Sequence, residues 1–248
     1  MNASAFTITR LVAWNCAGGF KRKASVVHEL APDLVVLSEA EEESAESLGQ
    51  VVSGSVWIGE PGKRGLAVIG LNGWKIEPPN IKVPEQLFLP VRAYNHQVSI
   101  QLVAACIKKT SDYVTPTLSA LKNLRGFIQQ APTVVAGDFN QSVVFDKGRP
   151  SARHFRRVLQ YLDRIEFRSA WHTARGEEMG LESEPTLYWR WSDQPQSRFH
   201  IDYVFASGEI EIRSVELGTF ERYTAQKLSD HVPLSVDLAL WPQPPNMP

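Results

Sequence analysis

TVVAGDFNQS, residues 133–142, passes from a β-branched apolar run into a glycine, a carboxylate and a carboxamide. Residues 133–136 are predicted to form a buried strand. Gly137 would let the backbone turn at its end. Asp138 and Asn140 lie two residues apart, so on an extended chain both side chains face the same way. A plain Asx-turn accounts for the pattern. A phosphate-handling site accounts for it equally.

The same design recurs outward from this stretch. Strands are predicted at 6–15 and 33–38, and as pairs at 55–58 with 65–71 and 87–94 with 98–107. Further strands are predicted at 186–191, 200–206, 210–220 and 232–240. Helices are predicted at 21–30, 41–48, 115–130 and 151–165, the third opening with Thr115 as N-cap and Pro116 in its first turn. Strands dominate and no linker divides them. The expected architecture is one domain, 1–248, ending in a Pro-rich tail at 241–248. Its fold class is a four-layer α/β/β/α sandwich, two packed mixed sheets flanked by helices.

Polar residues gather where these strands meet loops. Asn15 closes the first and Glu39 follows the second, while Asp202 opens a later one and Asp230-His231 precede the last. Each has an ordinary structural reading: a turn residue, a helix-start carboxylate, a salt-bridge partner, a histidine beside a turn. In a sandwich, however, such ends share one rim, and loops on a rigid scaffold commonly carry catalytic groups.

The 248 residues, 43% of them hydrophobic, can bury a core without disulfides, and Cys16 and Cys106 are expected to be reduced core thiols. The N-terminal stretch lacks a signal-peptide pattern, and no apolar run is long enough to span a bilayer. A cytoplasmic monomer without a membrane anchor is expected. The net charge of −1 excludes a global basic field. Binding of a nucleic acid would then rest on a local basic patch and a bound cation.

The segments WNCAGGF, LSEAEEE, GDFNQS, HIDYVFAS and LSDHVPLSV, in that order along nearly the whole chain, resemble the endonuclease/exonuclease/phosphatase (DNase I-like) superfamily. The resemblance implies the same four-layer sandwich and metal-assisted phosphoester hydrolysis. It implies Glu39 as the main ligand of Mg²⁺ (Mn²⁺ being the substitute), with Asn15 beside it holding metal or phosphate. Asp138 would orient and deprotonate the attacking water, and Asn140 would donate to a phosphate oxygen. His231 would donate to a nonbridging oxygen with its ring held by Asp202, and Asp230 would be a second metal ligand or part of that network. Two departures stand out. Family members carry a His or Tyr after the strand that here ends at Ile107, where only Lys108, Lys109 and Tyr113 could substitute. A polar residue is usual two positions after the Asn, where this chain has Ala17.

Substrate choice divides the readings. Arg64, Arg149, Arg153 and the stretch LYWRWSDQPQSRFH, with Trp189, Arg190, Trp191 and Arg198, interleave cations and rings as nucleic-acid binders do. His172, in a loop between predicted elements, is expected to face the rim. Glu177, Glu178, Glu182 and Glu184 nearby would repel a polyanion unless they point away. A nuclease is the leading reading. A phosphatase or phosphodiesterase for a small or lipid-headgroup ester is the second, and a catalytically weak binding module the third.

Overall fold

The computed structural model describes residues 6–81, 83 and 88–242. Fourteen strands follow in chain order: β1 (Thr7–Asn15), β2 (Leu34–Ala40), β3 (Val52–Ile58), β4 (Gly65–Leu71), β5 (Lys75–Glu77), β6 (Phe88–Tyr94) and β7 (Ser99–Cys106). Then come β8 (Thr133–Asp138), β9 (Phe167–Ser169), β10 (Leu187–Tyr188), β11 (Arg198–Phe199), β12 (Asp202–Ser207), β13 (Glu211–Leu217) and β14 (Leu234–Leu240). They form two six-stranded sheets, β13-β14-β1-β2-β4-β3 and β5-β6-β7-β8-β12-β9, plus the small β10-β11 ribbon. Each large sheet has a parallel pair at its centre, β1 with β2 and β7 with β8, flanked by antiparallel neighbours. The expected four-layer sandwich is observed.

Side-chain alternation builds the layers. Leu11 and Ala13 of β1, Leu34 and Val36 of β2, Leu102 and Ala104 of β7, Val134 and Ala136 of β8, and Val204 and Ala206 of β12 share the core between the sheets. The intervening residues face outward. Val103, Ala105, Val135, Tyr203 and Phe205 pack beneath α2 (Val114–Asn123), α3 (Arg125–Ile128) and α4 (Arg156–Arg164). Trp14, Val35 and Leu37 pack beneath α1 (Ala24–Glu29). Continuing the inward row of each strand by one step leads to Asn15, Ser38, Cys106, Asp138 and Asp202. The apolar core therefore ends in a polar floor at one rim. Both cysteines are free and buried, and burial lifts the Cys16 thiol to about 12.

Several expected elements differ. The stretch 41–48 forms 3₁₀ turns, Glu42–Ser44 and Glu46–Val51, because Glu41 spends its carboxylate on the Gly19 and Phe20 N–H groups and Gly49 takes φ 72°. Thr115 is not the cap of α2: the N-cap position falls on Tyr113, and Asp112 just before it accepts from Thr115 N at 2.6 Å and Thr115 Oγ1 at 2.9 Å. The strand expected at 186–191 is only β10. Beyond it the chain coils into the turn Trp189–Trp191, with Arg190 at φ 56° and Trp191 at φ 60°, conformations a strand cannot contain. The loop expected around His172 contains α5 (Ala170–Arg175). Leu87 and most of the Pro-rich tail lie outside the described residues.

Candidate active site

Gly137 is needed inside β8 rather than as a turn. Its φ is 135°, and a Cβ there would lie 2.0 Å from the Ala105 carbonyl oxygen of β7. The close approach of these two strands brings Asp138 to the floor between the sheets, where it pairs in register with Asp202 of β12 and with Cys106 of β7.

Asp138 is buried and held by amide donors. Asn15 Nδ2, reaching across from the other sheet, donates to Asp138 Oδ2 at 2.9 Å. Asn140 donates through its backbone N to Oδ1 at 2.8 Å and through Nδ2 to Oδ2 at 2.9 Å. Asn140 Nδ2 also donates to Ile107 O at 3.1 Å, so the carboxamide is held from the neighbouring strand. The two-residue spacing of the sequence thus serves a different geometry from a shared strand face. Asn140 adopts φ 51° and folds back onto Asp138. Burial raises the Asp138 carboxyl to about 7, with the nearby Asp202 charge adding to it, against the lowering effect of His231 and the Asn15 and Asn140 donors.

Beside it, His231 Nδ1 lies 2.8 Å from Asp202 Oδ2. Burial alone would lower the imidazole pKa, but the Asp202 charge and hydrogen bond outweigh it and hold His231 up at about 10. The pairing with Asp202 thus favours the imidazolium form, in which Nδ1–H donates to Asp202. Two residues that sequence reasoning missed secure this pair. Thr186 Oγ1 accepts from both Ile201 N and Asp202 N at 3.0 Å, and Thr186 O accepts from Val232 N at 2.9 Å. Ser229 Oγ donates to Asn15 O at 2.7 Å and accepts from His231 N at 3.1 Å. In the sequence Ser229 lies within LSDHVPLSV and Thr186 opens the stretch 186–191, each a hydroxyl within two residues of a strand end or site residue.

Glu39 stands at the mouth. A register irregularity between Ser38 and Ala40 and a φ of 54° turn its side chain toward the rim. Holding Glu39 and Asn140 in the left-handed region costs on the order of 1 kcal/mol each, a strain characteristic of functional sites. Glu39 Oε1 accepts from Asn15 Nδ2 at 3.2 Å, and Oε2 pairs with Arg64 Nη1 at 2.9 Å. Arg64 lies across Gly18, where a Cβ would come within 2.3 Å of its Nε. Asp230 is half-buried, and its carbonyl accepts from Tyr188 N at 2.7 Å.

Asn15, Glu39, Asp138, Asn140, Asp202, Asp230, His231 and Arg64 thus converge. Lys108 is exposed and, with Arg64, lines a neighbouring cleft of about 530 Å³ walled by Val56, Ile58 and Ile81. Tyr113 packs against the outer apolar cluster containing Ile107 and Phe139. Trp189 and Arg190 are exposed beside Tyr188. His172 departs from expectation. It is built into α5, 10% exposed, with Nδ1 at 2.7 Å from Ser169 Oγ and Nε2 at 3.1 Å from Glu182. It packs as a structural histidine, because helix formation turns it toward Ser169 and Glu182.

Asp138, Asp202 and His231 each offer a ligand atom, all within 4.8 Å of one another. Asp202 Oδ1 is buried without a hydrogen-bond partner among the described residues. His231 takes only Asp202 Oδ2, and at the mouth of the site Glu39, with Asn15 and Asp230, adds further side-chain oxygens for a cation. These are oxygen donors, as a hard cation requires.

A family model described as the Endonuclease/Exonuclease/phosphatase family matches residues 118–231. A search of curated proteins finds no match. Solved structures share the fold. An endonuclease/exonuclease/phosphatase from Beutenbergia cavernae is 18% identical, with TM-score 0.69, over 94% of this chain and 72% of that one. Truncated TDP2 from Caenorhabditis elegans is 14% identical, with TM-score 0.68, over 94% and 98%. The 3′ phosphatase NExo from Neisseria, bound to a product DNA hairpin, is 17% identical, with TM-score 0.67, over 92% and 98%. The chain is thus similar to the endonuclease/exonuclease/phosphatase family over residues 118–231 and shares its two-sheet sandwich with these solved structures.

Proposed function

We propose that the chain is a divalent-metal-dependent phosphoester hydrolase that cleaves DNA or RNA phosphodiester bonds by in-line attack of an activated water. The observation that carries this reading is the convergence, across the two sheets, of an amide-held Asp138 with an ion-paired Asp202–His231.

Mg²⁺ or Mn²⁺ held by Glu39, with Asn15 and Asp230, would neutralise charge on the phosphate and the leaving oxygen. The remaining work falls to the chain. Asp138 takes the proton of the attacking water. Its carboxyl, lifted by burial, is a stronger base than an ordinary aspartate. Asn15 and Asn140 fix the carboxylate so that little reorganisation is needed. His231 presents an imidazolium whose Nε2–H donates to a nonbridging phosphate oxygen as charge accumulates there. Arg64 supplies a planar donor pair for a phosphate.

Nucleic acid is favoured over a small ester because Glu177 and Glu182 of the acidic loop are engaged by neighbouring donors and Glu184 is paired with a cation, which leaves Glu178 as its exposed carboxylate outside these pairings. Glu177 accepts from Trp171 Nε1 and Ser183, Glu182 from His172 and Gly180 N, and Glu184 pairs with Arg175 at 3.8 Å. The DNA hairpin bound by the Neisseria relative agrees. The apolar-walled cleft beside Arg64 supports a second reading, a small or lipid-headgroup phosphoester.

One panel separates them: plasmid, single-stranded DNA, abasic duplex, RNA and small phosphate esters, each with Mg²⁺, Mn²⁺ or chelator, and with Asp138→Asn as the contaminant control. Metal-dependent cleavage of polynucleotide, absent in Asp138→Asn, is expected. Turnover that persists in chelator, or in the folded variant, rejects the proposal.

A further inference from the structure

The turn Trp189–Trp191 is unexplained by hydrolysis. Trp189 keeps 49% of its surface exposed, and it is the sole exposed large hydrophobic side chain among the described residues of the rim segment 186–231. Arg190 lies over the Trp189 ring, its guanidinium carbon 4.3 Å from the centroid. Lys227 lies over Trp191, its Nζ 4.9 Å from the centroid. All of Arg190, Trp191 and Lys227 take left-handed backbone conformations, at φ 56°, 60° and 58°. Bulky residues rarely adopt this region, and two in succession need a surrounding structure that enforces them.

That enforcement comes from the active site. Tyr188 N donates to Asp230 O at 2.7 Å, and Leu187 bridges His231. Tyr188 is buried and its ring packs against Phe220 at 4.9 Å. The first cation–ring pair follows Tyr188 directly, and the second joins Trp191 to Lys227, three residues before Asp230. The ridge is therefore anchored to the loop that carries His231.

Resting on the polynucleotide reading above, we propose that Trp189, Arg190, Trp191 and Lys227 form a stacking ridge for unpaired bases next to the scissile phosphate, so that the protein engages single-stranded or locally unpaired nucleic acid. Rings give every base a face to stack on, and a guanidinium plane stacks on bases in the same way. The cations meet the adjoining phosphates. A paired duplex keeps its bases stacked on one another and offers the ridge no free face. A membrane surface fits less well, because such a surface selects a patch of apolar side chains and the described residues of segment 186–231 expose a single large one.

The test is equilibrium binding in chelator, where cleavage is suppressed, read by fluorescence anisotropy of labelled oligothymidylate and of a duplex of equal length. Wild-type protein is expected to prefer oligothymidylate. Trp189→Ala should weaken that binding about tenfold, and Trp189→Phe should recover most of the loss. Both variants should keep the wild-type thermal midpoint, since the side chain is half in water. Equal binding of oligothymidylate by wild type and Trp189→Ala overturns the ridge while leaving the hydrolytic site standing if wild type still cleaves phosphodiesters with Mg²⁺. Preferential binding to phosphatidylserine-containing vesicles also overturns it. Failure of the wild-type protein to hydrolyse any phosphoester with any divalent metal overturns both readings.

Discussion

Asp202 and His231 form one buried unit, with Oδ2 and Nδ1 2.8 Å apart and side-chain exposures of 1% and 8%. In metal-free protein the His231 ring is expected to titrate near 10, well above the ordinary 6.5. Removing the carboxylate leaves burial, which lowers the value, opposed only by the smaller raising effects of Asp138 and Asp230, so Asp202→Asn should lower the midpoint. Nitrogen-15 NMR of the imidazole measures it. Because the folded-state value is the raised one, the stabilisation from this pair is complete below about pH 6.5 and is lost as pH rises through about 10. Denaturant midpoints of wild type relative to Asp202→Asn should decline across that window. A His231 midpoint near 6.5 in wild type would remove the imidazolium from the mechanism.

Arg64 and Glu39 compete with a cation for the same carboxylate. Their pair is half in solvent, at 52% and 36% side-chain exposure, so its own stabilising effect is small. Arg64→Ala frees Glu39 and should tighten Mn²⁺ binding about two- to fivefold, measured by titration calorimetry on metal-free protein. The same variant loses a phosphate donor, so KM for polynucleotide should rise. Unchanged Mn²⁺ affinity would show that Glu39 does not hold the metal.

Much of this site was legible as polar residues at strand ends and through the motifs that carry the resemblance, and strand alternation supplies the physical reason that they meet. Once residues 133–136 are a strand between packed sheets, Asp138 continues its inward row, and Asn15 and Asp202 do the same on neighbouring strands. What could not be read is what depends on backbone departures from that regularity. Asn140 reaches Asp138 through a left-handed turn, Trp189 leaves the sheet because Tyr188 pairs with Asp230, and His172 joins a short helix. The roles of Thr186 and Ser229 were invisible for a related reason. Their hydroxyls act on loops brought together only by the tertiary fold.

Gly137 illustrates a residue whose apparent purpose changed. Gly137→Ala places a methyl 2.0 Å from the Ala105 carbonyl oxygen, at a φ of 135° that alanine avoids. Both partners are backbone in the centre of a sheet, so neither can yield without breaking the β7–β8 ladder. A destabilisation of about 3 kcal/mol or more is expected from overpacking and backbone strain together, read from urea unfolding. A loss under about 1 kcal/mol would mean that the strands separate more easily than this packing allows.

Thr186 offers the sharpest separation of positioning from chemistry. It is fully buried, and its Oγ1 is the acceptor for two successive backbone donors, Ile201 N and Asp202 N. Thr186→Val keeps the shape and removes the acceptor, leaving two buried N–H groups without a partner at about 1–3 kcal/mol each. Relief comes from moving the 201–202 backbone, which carries Asp202 and through it the His231 ring. Because the effect reaches substrate only through that ring, kcat should fall with KM little changed, and the His231 titration midpoint should shift toward 6.5 as the Asp202 contact loosens. Thr186→Ser restores the oxygen and should recover both the rate and the midpoint while still lacking the methyl. If Thr186→Ser is as impaired as Thr186→Val, the methyl packing matters and the hydroxyl does not, and the bracing assigned to Thr186 is wrong.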